Sequence, residues 1–180
     1  LIGGTTGSGK SNFLHNLIMS ACCRYSPNEM RVYLLDFKEG VEFSQYANPN
    51  LKHAKLVATE ADTEYGITVL RHLVEEKEKR YAAFKICGCK DIQGYRDKNP
   101  NEIMPRIMVI DEFQVLFGNV QKDQTISTLE TLAKQGRACG IHLVLATQSL
   151  KGIDFSTLGP QFGGRVALKC SAEDSKYLLG

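Results

Sequence analysis

The sequence predicts an α/β fold, a mainly parallel sheet with helices on both faces. Two observations predict it. Segments that read as buried strands alternate along the chain with segments that read as amphipathic helices. A glycine-rich turn also stands between a strand remnant and a helix near the start. The chain has 180 residues, the size of one such domain, and 43% of them are hydrophobic, enough for a real core. Lys plus Arg number 22 and Asp plus Glu 20, a net charge of +2 that neither demands nor excludes a nucleic-acid partner.

Leu1-Ile2-Gly3 reads as the end of a strand cut short, so residues 1–180 are expected to form a single domain that is a piece of a longer protein. Ser11 to about Tyr25 is a helix, with Phe13, Leu14, Leu17, Ile18 and Ala21 at helical spacing before Pro27 and Asn28. Arg31 to Asp36 is a buried strand and Lys55 to Thr59 a short one. Asp62 to about Ile86 is a long helix, with Ile67, Leu70, Leu73, Val74 and Tyr81 towards the core, and Gly88 to Pro105 is polar and turn-rich. Arg106 to Asp111 is a further buried strand. Thr125 to Cys139 is a helix with Ile126, Leu129 and Ala133 on one stripe, and Gly140 stands where a left-handed residue ends it. Ile141 to Thr147 and Gly164 to Cys170 are the last strands, and Ala172 to Leu179 is a terminal helix.

The chemistry starts at Gly4-Thr5-Thr6-Gly7-Ser8-Gly9-Lys10-Ser11, which fits the P-loop pattern at every fixed position. Its glycines let backbone N–H groups turn in around phosphate oxygens, and the next helix adds its positive end. Lys10 is placed for the β- and γ-phosphates of ATP, and Ser11 offers a hydroxyl to Mg²⁺. The strand ending in Asp111-Glu112 carries carboxylates to the edge where parallel sheets bind ligands. There Asp111 is expected to hold the Mg²⁺ shell and Glu112 to act as general base on the attacking water. Gln148, after the strand Leu143 to Thr147, suits a sensor that bonds the γ-phosphate and the water at once; its bland reading is a loop residue.

Other features leave alternatives open. Asp36 and Lys38 face the same crevice or serve a turn. Glu75 to Arg80 contains two i,i+4 pairs, Glu75/Lys79 and Glu76/Arg80, as on a solvated helix face. Arg80 and Arg137 are candidate arginine fingers for a neighbouring subunit, or they only pair with helix carboxylates and carbonyls. Gly152 to Gly164 is a substrate-contacting loop or a connection. Six cysteines are present; Cys87-Gly88-Cys89 could be half of a zinc site but has no second Cys/His pair at finger-like spacing, so the six read as buried or loop thiols, with a metal or redox role as the alternative. No apolar run approaches a membrane span and no signal peptide is visible. The domain is expected in the cytoplasm, without membrane contact of its own, any anchor lying outside these residues.

The order of these motifs closely resembles the FtsK/SpoIIIE family of motor ATPases. The resemblance is carried by Gly4 to Ser11, Leu35-Asp36-Phe37-Lys38, Val109-Ile110-Asp111-Glu112-Phe113, Ala133 through Leu143, Ala146-Thr147-Gln148 and Arg165 to Cys170. It implies a RecA-like core working in a ring, usually a hexamer, that couples ATP hydrolysis to movement of double-stranded DNA. The family's wider relatives include ATPases of type VII protein secretion and of conjugation. Here Asp36 is followed by Phe37-Lys38-Glu39-Gly40 rather than by the Pro-Lys pair common in DNA translocases, which leans towards a secretion substrate protein as the alternative cargo.

Overall fold

The computed structural model describes residues 1–36, 42–47, 51–59, 63–112, 122–150 and 157–180, with backbone only at 108–112 and 122. Lys38, Phe113 and residues 152–156 of the predicted loop fall outside the described residues. The strands are β1 Ile2–Gly3, β2 Met30–Leu35, β3 Ala54–Ala58, β4 Arg106–Glu112, β5 Ile141–Thr147 and β6 Val166–Ala167. The helices are α1 Lys10–Arg24, α2 Thr63–Cys87, α3 Ile92–Lys98, α4 Lys122–Gln135 and α5 Ala172–Leu179. The strands form one sheet in the order β3-β2-β4-β5-β1-β6, and every pairing is parallel.

Because the sheet is covered on both faces, its strands are apolar on both sides rather than alternating apolar with polar. Along β2, Val32 and Leu34 join the cluster under α1, where Leu14 and Ile18 are buried. Tyr33 and Leu35 point to the opposite face, onto Leu70 and Leu73 of α2 and Leu129 and Leu132 of α4. Of the α1 stripe, Phe13 remains exposed beside a cleft at the sheet's lower end, with Leu17, Ile141 and His142. Among the described residues no helix is long and apolar enough to cross a membrane.

Three elements differ from the sequence-based expectation. The turn-rich stretch Gly88 to Pro105 contains α3, whose N-cap Asp91 accepts from the Gly94 amide. The helix expected to reach Cys139 ends at Gln135. Gly136 then donates to the Leu132 carbonyl, and a turn brings Ile141 N–H onto the Gly136 carbonyl at 2.8 Å. Gly140 is left-handed as expected, at φ +81°, but it closes this turn rather than the helix. The strand expected over Gly164 to Cys170 is confined to Val166 and Ala167.

Candidate nucleotide site

The P-loop begins where β1 ends. Gly4 N–H donates to the Thr147 carbonyl of β5, and Thr5 N–H and its hydroxyl both donate to the Lys169 carbonyl. The loop's entry is therefore anchored to two neighbouring segments. Gly7 and Gly9 then adopt φ of +74° and +88°, a left-handed conformation costly for residues with a Cβ. Nothing lies within 4 Å of where a Cβ would stand at either, so it is the backbone twist and not crowding that selects glycine.

Two observations show that this loop suits an anion. Helix α1 has no side-chain cap and no acidic residue in its first turn, so the protein leaves its positive end uncompensated. The Ser8 hydroxyl is buried in the loop and has no hydrogen-bond partner among the described residues. Lys10, the first residue of α1, is buried at 9% exposure, and Ser11 beside it is half-buried. A triphosphate would meet N–H groups, the Ser8 hydroxyl and an ammonium group; Mg²⁺ would take oxygen ligands from Ser11 and from the carboxylate of Asp111.

Sheet register places the other residues. Ile2, Ala146 and Glu112 occupy one row across β1, β5 and β4, and Gly3 and Thr147 lie one row further on. Asp111 sits one row back, between Leu35 and Leu145. The start of the P-loop and the acidic end of β4 are thus two inter-strand steps apart, about 10 Å. Gln148 leaves the intervening strand at the same edge. Thr6 of the loop donates through its hydroxyl to Gln148 Oε1 at 3.3 Å, fixing the carbonyl side of the amide on the loop. Sequence reading missed this Thr6 contact, because it joins residues 142 positions apart.

Asp36, just after β2, is buried and accepts from the Glu42 amide at 3.1 Å through Oδ2. Arg80 departs from the expected solvated face. It is 3% exposed, with Nε on Glu76 at 2.8 Å and Nη1 donating to the Cys139 carbonyl at 2.9 Å. Its donors serve the joint between α2 and the turn after α4, so we assign it a structural role and no finger. Removing it leaves that carbonyl and Glu76 without their cation. Arg80→Ala is expected to cost about 2–4 kcal/mol, lowering Tm by several degrees in thermal unfolding.

Arg137 lies in the turn beyond α4 and not on the helix; its side chain is exposed and makes no hydrogen bond or ion pair among the described residues, while its carbonyl accepts from the Gly140 amide. The turn precedes β5, whereas the P-loop meets that strand's far end at Thr147. Seven residues of strand, about 20 Å, separate the two. Arg137 therefore cannot serve its own subunit's P-loop.

The profile of the FtsK/SpoIIIE family matches residues 1–117. The chain belongs to the FtsK/SpoIIIE family. It is 34% identical over 190 residues to a DNA translocase FtsK of Borreliella burgdorferi, a match that covers all of this chain but 23% of that relative's length. The type VII secretion ATPase EccC of Thermomonospora curvata has a cytoplasmic domain with 25% identity and a TM-score of 0.82, over 99% of this chain and 21% of that one. The conjugation coupling protein TcpA of pCW3, solved with ATPγS, has 25% identity and a TM-score of 0.78, over 99% of this chain and 51% of that one. The α/β architecture described above is thus that of the P-loop ATPase domains in this family, and an ATP-type ligand bound to one such domain agrees with the anion-ready loop found here.

Proposed function

We propose that this chain is an ATP-hydrolysing motor domain whose cargo is double-stranded DNA. What supports the reading is a single arrangement: an uncapped, glycine-built phosphate loop at the same sheet edge as Asp111, Glu112 and Gln148, in a chain of this family. Lys10 supplies the cation for the transferred phosphoryl group, and the P-loop amides hold the phosphates. Ser11 and Asp111 are the residues that would hold Mg²⁺, which would supply neutralisation of the phosphate charge. Glu112 accepts the proton of the attacking water, and Gln148, steadied by Thr6, orients that water. Arg137 completes the site of a neighbouring subunit in a homo-oligomeric ring, a hexamer in the simplest case. The domain works in the cytoplasm.

DNA as cargo makes a salt-dependent prediction. The contacts that move a duplex are mainly to phosphates, so they weaken as counterions compete. ATP turnover by the full-length protein is expected to rise severalfold on adding duplex longer than one ring covers. The stimulation should fade between about 50 and about 200 mM salt. A second reading, protein secretion, is favoured by the Asp36-Phe37-Lys38-Glu39-Gly40 run and by the similarity to EccC. Turnover indifferent to duplex at low salt would decide for it.

A further inference from the structure

Cys87 and Cys89 stand far along the chain from the nucleotide site, at the end of α2, and take no part in the chemistry above. The helix ends there in a double reversal: Gly88 N–H donates to the Lys85 carbonyl and Cys89 N–H to the Phe84 carbonyl, at 3.3 and 2.8 Å. This cap requires a left-handed residue between its two flanks, and Gly88 provides it at φ +64°. Folding the chain back through Gly88 brings the flanking side chains together. The Cys87 thiol is turned onto Cys89 Sγ, with the two sulfur atoms in direct contact. The pairing is a product of the helix cap itself, so it is in place before any reagent arrives.

The surroundings suit exchange chemistry. Lys98 of α3 donates from Nζ to the carbonyls of Cys87 and Gly88 at 2.9 and 3.3 Å, pinning the turn and setting a cation beside the sulfurs. Both cysteines are half-buried, unlike Cys139, which is sealed in the core.

We propose that Cys87 and Cys89 form a dithiol site that exchanges with small disulfides of the glutathione class and closes to an intramolecular disulfide. The Cys87 thiolate attacks one sulfur of the small disulfide, forming a mixed disulfide and expelling the other half as a thiolate. The Cys89 thiolate then attacks Cys87 Sγ, closing the ring and expelling the second half. The protein loses two electrons and two protons, and the small disulfide is reduced to two thiols. The proposal is independent of the ATPase reading, and its test needs no nucleotide.

The test incubates the chain with oxidised glutathione until the exposed Cys23 on α1 has reacted, then blocks free thiols and maps tryptic peptides. Ile86–Lys90 carries Cys87 and Cys89 and no other cysteine. In the wild-type chain that peptide should hold an internal disulfide and no glutathione. Cys89→Ser should retain one glutathione there, because the resolving thiol is gone, and Cys87→Ser, which lacks the attacking thiol, should retain little; circular dichroism confirms that both variants are folded. Bound glutathione persisting on the wild-type peptide would overturn the proposal, as would two free thiols after Cys23 has reacted.

Discussion

Glu112→Gln is expected to bind ATP as the wild type does and to hydrolyse it about 10²-fold more slowly or worse. Glutamine has the size and hydrogen-bonding capacity of glutamate but cannot accept the proton of the attacking water. The P-loop that holds the nucleotide is built from β1, the Thr147 and Lys169 carbonyls and the start of α1. None of that depends on the charge at position 112, which is why binding and chemistry should separate. Calorimetry gives the first quantity and phosphate release under saturating Mg·ATP the second. Asp111→Asn should behave differently, by raising the Mg²⁺ concentration needed for turnover. Wild-type turnover in Glu112→Gln would mean that another group activates the water.

The candidate site was largely proposable from the sequence because its signals are local. The P-loop is eight consecutive residues, and the pair Asp111-Glu112 ends an apolar run whose burial is written in its composition. What escaped depends on distant partners. Glu76 and Arg80 look like a solvated i,i+4 pair, yet the carbonyl that buries Arg80 belongs to Cys139, 59 residues away. The end of α4 was misplaced by four residues because Lys134 to Cys139 continues the helical pattern. Gly136 stops it by a close approach that composition does not announce: an added Cβ would stand 2.4 Å from the Leu132 carbonyl oxygen and 2.8 Å from that of Ile141. Helix α3 was hidden by its polarity, although Asp91 three residues before Gly94 was a readable cap. The Cys87–Cys89 contact follows from the Gly88 reversal, which a Cys-Gly-Cys triplet permits but does not dictate.

Arg137→Ala should leave ATP binding intact and lower turnover by about 10³-fold, the low end of what a supplied arginine contributes to phosphoryl transfer. The transition state spreads negative charge over the γ-phosphoryl oxygens, and within one subunit the proposed cations are Lys10 and the metal alone. Arg137 is exposed and about 20 Å of β5 away from its own P-loop, so under the proposed reading its charge acts on a neighbour's site. That geometry yields a complementation test. Lys10→Ala subunits lack the phosphate-binding cation but still offer Arg137, whereas Arg137→Ala subunits keep a complete P-loop. Each should be nearly inactive alone, and mixing them should restore part of the activity at interfaces where an intact P-loop meets an intact Arg137. Wild-type turnover per protein should also climb with concentration as rings assemble. Arg80→Ala serves as the contrast: with its guanidinium spent on Glu76 and Cys139, it should lower thermal stability while mixing with Lys10→Ala rescues nothing. If the Arg137→Ala and Lys10→Ala mixture stays as inactive as its parts, with rings demonstrably formed, Arg137 does not act across the interface.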